Sequence, residues 1–368
     1  MNICDRPLKV KGERVWRNYL GGRELDRLHG RSQLEDGSFP EEWILSTTRA
    51  SNPDRGAEAP PDEGLCRLDR PHEGISLLSL IEAHPEEMLG SAHVREYGAS
   101  QGVLAKLIDS QVRLVVQAHP DRRDAQRFFS SRFGKTESWH ILGLRDDVPE
   151  PPCLYWGFRE GVSREAWRDA FQRQDKPALL GMMHRLLPRP GDTFMVPGGL
   201  PHAIGAGCLI LEIQEPTDLT FKLERRMDFG LEIPEQFCHL GIGFDNLFDC
   251  FHYDNYSEAE AREKSLTRLR ELESRPGFRL EELIGPGDTD CFGLSRLTVR
   301  GEYADSGRSG FHGLYVQSGA GRIEFADGEI PLRTADQIFV PAACRDFRII
   351  GADGGEMTIL VFRGPAAS

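Results

Sequence analysis

The segment Gly191-Asp192-Thr193-Phe194-Met195-Val196-Pro197 returns near the other end of the chain as Ala335-Asp336-Gln337-Ile338-Phe339-Val340-Pro341. Each copy is a turn, an apolar run too short for a helix, and a proline that cannot donate to a sheet ladder. A recurrence of this kind predicts two units built to one plan. Other runs have the same character. Cys208-Leu209-Ile210-Leu211-Glu212-Ile213, Val103-Leu104-Ala105-Lys106-Leu107-Ile108-Asp109 and Glu42-Trp43-Ile44-Leu45 lie between clusters of Gly, Pro, Asn and Asp, the pattern of short strands and turns. The expected fold is mainly β, two antiparallel barrels of one kind, with no strong helix in residues 7–60.

Helical spacing interrupts this pattern in a few places. Between Gly74 and Gly90, Ile75, Leu77, Leu78, Leu80 and Ile81 recur at helical intervals, and Pro85 opens a second short turn, so a small helical insertion is expected at about 75–95. Residues 122–133 are polar and helical in character. Within 163–187, Ala166, Trp167, Ala170 and Phe171, then Leu179, Leu180, Met183 and Leu186, mark two short amphipathic helices divided by Pro177. Residues 245–270 are charged, and 257–272 form helix well. A chain of 368 residues suits about two domains. The expected division is 1–244, then 245–368 as a linker helix and a second barrel.

The net charge of −13, without a Lys/Arg run, argues against nucleic acid or an anionic membrane as partner. Eight scattered cysteines with no Cys-x-x-Cys fit neither a disulfide framework nor a thiolate zinc site. The first residues have no apolar signal core, and no window approaches the roughly 20 apolar residues of a membrane span. A cytoplasmic location is expected.

Val115-Val116-Gln117-Ala118-His119-Pro120 reads as a strand ended by proline. Alternation puts Gln117 and His119 on one face, each offering one donor atom to a metal ion. Glu137, on a strand face with Trp139, Ile141 and Lys135, and His202, after Pro197-Gly198-Gly199-Leu200-Pro201, complete a set of four. Two imidazoles and a carboxylate are ordinary zinc ligands, and an amide oxygen is a weak fourth that leaves room for water or substrate. Mn²⁺ or another divalent ion suits the same set. His140 alternates off this face and is expected to be structural. No nucleotide loop and no Gly-x-Ser-x-Gly nucleophile elbow competes with the site.

The pattern Gly191-x5-Pro197-x-Gly199-x2-His202 resembles the second motif of the cupin barrels. Gln117-Ala118-His119-Pro120, Gly134-Lys135-Thr136-Glu137 and Pro201-His202-Ala203-Ile204-Gly205, in this order and separation, resemble the type I mannose-6-phosphate isomerases in their short bacterial form. The resemblance covers about residues 8–228 and weakens after about 240. It implies two cupin-like jelly-roll barrels, the second having lost its ligands, with Asp346 five residues after Pro341 where His202 follows Pro197. It also implies one Zn²⁺ held by Gln117, His119, Glu137 and His202, and Lys135 near the substrate. The family pattern Ser-Asp-x-Thr-x-Arg here reads Thr217-Asp218-Leu219-Thr220-Phe221-Lys222. Lysine keeps the charge of the arginine but loses its planar fork. Arg225 and Arg226 follow closely and stand as substitutes for substrate binding.

The activity so implied interconverts mannose 6-phosphate and fructose 6-phosphate through an enediol, with Asp218 as acid or base and Lys222 or Lys135 stabilising the enediolate. The expected partner is a small sugar or sugar phosphate. Two alternatives follow from Lys222: an isomerase of a different, unphosphorylated sugar, or a non-catalytic sugar-binding paralogue that keeps the metal site.

Overall fold

The computed structural model describes residues 3–52, 55, 58–228, 230–306 and 310–366. Two β-sandwiches account for most of it. In the first, a six-stranded antiparallel sheet runs in the order Thr193–Val196, Glu137–Leu144, Cys208–Gln214, Leu104–Asp109, Glu41–Ile44, Glu13–Val15. Facing it are Phe221–Lys222, Gln117–Ala118, His202–Ile204, Leu154–Arg159 and Asn255–Tyr256, with Met183–Leu186 also paired to Leu154–Arg159. Ile108, Trp139, Ile141 and Ile210 from one sheet pack with Leu154, Trp156 and Ile204 from the other in one core.

The second sandwich repeats the plan. Its larger sheet holds Gln337–Val340, His312–Ser318, Met357–Arg363 and Gly293–Val299 as successive neighbours. This is the order of Thr193–Val196, Glu137–Leu144, Cys208–Gln214 and Leu104–Asp109. Even the turn is copied: Asp192 Oδ2 accepts the Arg189 N–H at 2.8 Å and Asp336 Oδ2 accepts the Arg333 N–H at 3.0 Å. The fold is mainly β and antiparallel, as expected, with the strands in open sheets among the described residues, and the pairing is antiparallel except where Asn255–Tyr256 meets Phe158–Arg159. Val340 lies opposite His312 as Val196 lies opposite Glu137, so the second unit has a histidine where the first has its carboxylate. Asp346 is exposed at the start of its strand, opposite Ser306.

The two sandwiches share a core. Ala105, Leu107, Leu209, Leu211 and Ile213, on the outer face of the first sheet, pack against Leu8, Val10, Phe339, Leu360 and Phe362 and against the helical insertion. Burial on both faces is why Leu104–Asp109 and Cys208–Gln214 read as continuous apolar runs and not as alternations. Leu8–Lys11 pairs with Gln337–Val340, and Arg67–Leu68 pairs with Leu8–Lys11. We propose the division near 244/245 as the start of the segment that leads to the second sandwich, with these two strands crossing it in one direction and Asn255–Tyr256 in the other.

The insertion consists of Leu77–Ala83, Pro85–Leu89 and Ser91–Tyr97. Arg164–Gln172 and Lys176–Gly181 are the two later helices, but Met183 and Leu186 lie on a strand. The helix expected over 257–272 is capped by Ser257 and Glu260 and stops at Ser265. The alternating segment Arg270–Arg275 then pairs with Phe278–Ile284, because tertiary pairing outweighs the helix propensity of its Glu, Leu and Arg. Arg23–Leu28 is a helix of six residues in the region expected to have no strong one. Among the described residues no helix is long and apolar enough to cross a membrane.

Candidate metal centre

Two glycines bring the donors together. A Cβ on Gly134 would lie 2.7 Å from the Asp121 carbonyl carbon, and one on Gly198 would lie 2.7 Å from the Asp121 Cα. The corner after His119 is therefore pinched between the segments that lead to Glu137 and to His202. The Gly199 N–H donates to the His119 carbonyl at 2.7 Å and the Lys135 N–H to the Pro120 carbonyl at 3.0 Å, closing the corner. Helix Arg122–Phe129 follows it, capped by the Asp121 side chain on the Asp124 N–H.

His119, Glu137 and His202 are all buried, with donor atoms within 4.8 Å of one another. The Leu219 carbonyl accepts from His119 Nδ1 and the Leu200 carbonyl accepts from His202 Nδ1, both at 2.9 Å. A carbonyl only accepts, so each ring carries its proton on Nδ1 and presents the Nε2 lone pair. His119 Nε2 lies 3.1 Å from Glu137 Oε2, and His202 Nε2 lies 3.3 Å from Glu137 Oε1. Bonds of about 2.0–2.1 Å in a tetrahedral zinc site separate neighbouring ligand atoms by about 3.3–3.4 Å, so these spacings suit such an ion. His202 Nε2 is a buried polar atom without a hydrogen-bond partner among the described residues, which a metal ion would satisfy. The three residues could hold a metal ion, and they are the one group of three His, Cys, Asp or Glu found among the described residues.

The electrostatics agree. Burial, and then the neighbouring Lys135 charge, lower His119 to about 4, and burial lowers His202, so both imidazoles are neutral ligands near pH 7. Burial alone would raise the Glu137 carboxyl, but Lys135 and the imidazoles outweigh it and hold it well below the usual range. Gln117 lies directly opposite both His202 and Lys222 in the facing sheet, so all three side chains fall in one row on one face. His140 is buried off the site, with Nδ1 2.9 Å from Thr193 Oγ1.

Beside the donors is a cleft with about 780 Å³ of atom-free space, its open mouth included. Gln117, Lys135, Asp218 and Lys222 line it, as expected from the sequence. Arg225 and Arg226 do not. Arg225 lies over the rings of Phe171 and Phe244 and pairs with Glu235, and Arg226 bonds the Gly230 carbonyl. The guanidinium that does line the cleft is Arg17, which the sequence reading missed. It clasps both Asp218 oxygens at 3.1 and 3.2 Å, and its Nε lies 2.9 Å from Glu41 Oε2.

From there a row of alternating charge crosses the first sheet. Lys106 Nζ is 3.8 Å from Glu41 and 3.0 Å from Glu212, and Lys135 Nζ is 3.9 Å from Glu212 and 2.5 Å from Glu137. Glu212 lies directly opposite Lys106 on one side and Trp139 on the other, while Glu41 and Glu137 lie two places along their strands, so register sets the middle of the row and side-chain reach closes its ends. Lys106 alternates with Leu104 and Ile108 in an otherwise apolar run, the signal that could have placed it on the cleft face. Arg17 had no comparable signal. Asp218 also accepts the Ser51 N–H at 2.8 Å. Burial would raise its carboxyl, but Arg17, then Lys106 and that N–H, hold it far below the usual range.

No family model matches the chain. Among known proteins it is 25% identical over 341 residues to YvyI of Bacillus subtilis, covering 92% of this chain and 93% of YvyI. It is 24% identical over 292 residues to ManA, the mannose-6-phosphate isomerase of the same bacterium, covering 76% and 80% of the two chains. With the mannose-6-phosphate isomerase of Streptococcus mutans it shares 33% over 166 residues, 43% of this chain and 50% of that one. Its fold is that of the Bacillus subtilis mannose 6-phosphate isomerase crystal structure, at a TM-score of 0.73 and 23% identity over 97% of this chain and 99% of the other. A zinc-bound mannose 6-phosphate isomerase matches at a TM-score of 0.69 and 15% identity, covering 98% and 100%. The chain is therefore similar along most of its length to proteins named as mannose-6-phosphate isomerases, and it has the fold of the solved ones.

Proposed function

We propose that the chain is a metal-dependent aldose–ketose isomerase that interconverts mannose 6-phosphate and fructose 6-phosphate through an enediol, with zinc held by His119, Glu137, His202 and Gln117. The observation that carries this reading is the buried His202 Nε2, which has no hydrogen-bond partner among the described residues, grouped with two further donors beside a cleft lined by Arg17, Lys106, Lys135 and Lys222. The names of the relatives support the choice of reaction and substrate. Zinc bound there supplies a Lewis acid that polarises carbonyl and hydroxyl oxygens of the sugar.

The chain's own side chains supply the rest. Lys222, in one row with Gln117 and His202, and Lys135 are point charges for oxygens that become negative during the reaction or for a phosphate. A proton must leave the carbon beside the carbonyl and return one carbon over, which calls for a positioned base. Asp218 serves this purpose poorly, because both its oxygens are spent on Arg17 and its proton affinity is depressed. Its role is to fix the loop that carries Lys222. Glu212 also lines the cleft, with its oxygens near Lys106 and the Trp139 N–H, and anchors the lysines that face the sugar.

Zinc-loaded protein incubated with mannose 6-phosphate in D₂O is expected to lose the C2 proton signal and to form ketose in NMR spectra. Zinc retained with neither change would sink the isomerase reading. Lys222→Arg, which restores the planar fork, is expected to raise kcat/KM for the ester by roughly tenfold, read in a coupled ketose assay. One observation favours a second reading: Lys222 stands where the resembling family has arginine. Exchange with free mannose and none with the ester, in the same NMR experiment, would establish an unphosphorylated substrate.

A further inference from the structure

We infer that Lys135 is a built-in competitor for the metal: its ammonium holds the donors and must cross to Glu212 before a divalent ion can bind. This rests on the metal centre proposed above and not on the choice of sugar. Lys135 Nζ lies 2.8 Å from His119 Nε2 and 2.5 Å from Glu137 Oε2. With its proton fixed on Nδ1 by the Leu219 carbonyl, His119 has one lone pair in the ring plane at Nε2. That lone pair can accept from the ammonium or bind a metal ion, but not both. The ammonium is 3% exposed, so it cannot simply retreat into water.

Among the described residues one other anion is within reach. Glu212 Oε1 is 3.9 Å from the ammonium, so a movement of about 1 Å along a flexible four-carbon stem brings it to hydrogen-bond distance. Lys106, now 3.0 Å from the same carboxylate, has Glu41 at 3.8 Å as its second partner, and the row can shift by one place. The displaced charge then lies on a carboxylate that lines the cleft. Metal binding thereby frees the Lys135 charge from the ligand cluster while keeping it among the residues that line the space where an anionic sugar would lie. By reciprocity, an anion bound there strengthens metal binding.

The test is zinc affinity of the full chain, measured by competition with a chromophoric chelator in the absence of sugar, with each fold checked by circular dichroism in zinc. Lys135→Met is expected to tighten zinc binding by about tenfold or more, because the competitor is gone. Lys135→Gln, which can still donate to Glu137 and so guards against loss of the fold, should tighten it as well. Glu212→Gln removes the destination and is expected to weaken zinc binding by roughly tenfold in the wild-type background, yet by less than about threefold in the Lys135→Met background. Unchanged or weaker binding in both lysine variants, or a Glu212 effect of equal size in the two backgrounds, would overturn the inference. Wild-type protein that binds no zinc at all would remove the metal centre itself and this inference with it.

Discussion

Glu137→Gln is expected to strip the protein of its metal and to cut turnover by roughly 10³-fold or more, an effect of several kcal/mol on the transition state. The carboxylate is the middle donor, 3.1 Å from one imidazole nitrogen and 3.3 Å from the other, and among the described residues no other carboxylate groups with both. The amide is nearly the same size, so packing against Trp139 survives while the charge is lost. Stability should fall too. Lys135 would keep its buried ammonium with Glu212 at 3.9 Å as the remaining anion, and leaving one member of a buried pair uncompensated costs about 3–5 kcal/mol. Metal analysis of the purified variant, a turnover assay and a urea midpoint check the three parts separately. Full zinc content in Glu137→Gln would remove this carboxylate from the ligand set.

Arg17→Met is expected to lower stability by about 3–5 kcal/mol at pH 7, since it leaves Asp218 and Glu41 as buried carboxylates without their guanidinium. The loss should depend on pH in a definite direction. The Asp218 carboxyl is held far below its unfolded value, so its contribution is fully present above about pH 4 and is lost as pH falls through the folded value. Glu41 shifts in the same direction, burial being outweighed by Arg17 and then Lys106. In the variant both carboxyls move upward and protonate more readily. The gap between wild type and variant should therefore narrow from pH 7 to about pH 3, as urea midpoints at the two values would show. A gap of equal size at both pH values would mean that Arg17 acts through packing over Trp43 and not through its charge. Turnover should fall as well, because the loop from Asp218 to Lys222 loses its anchor to the N-terminal segment.

These two residues differ in how visible they are in the bare sequence. Glu137 stands in a short motif with Gly134 and Lys135, and the glycine has a local reason to be there, the close approach of the Asp121 corner. Arg17 is one of many arginines, and its partners Asp218 and Glu41 are far away in sequence, so nothing local separates it from a solvated surface charge. Arg225 and Arg226 show the converse error. Closeness to Lys222 in the chain suggested closeness to the cleft, but the turn after the short strand Phe221–Lys222 carries them to other partners.

The sequence by itself determined the β class, the twofold plan and the insertion, each written within a few residues as alternation, a turn glycine or a strand-ending proline. His119, Glu137 and His202 are remote from one another in the chain, and it was the resemblance of three short motifs to a known family that named them as one cluster. Tertiary structure alone decided that the sheets stay open, that Leu8–Lys11 completes the second sandwich, that 270–275 is strand, and that Arg17, Lys106 and Glu212 form one row of charge under the cleft. The physical reason is common to all four. Ladder partners and buried ion pairs gain their energy from groups remote in the chain, and no short stretch of sequence records which remote group will arrive.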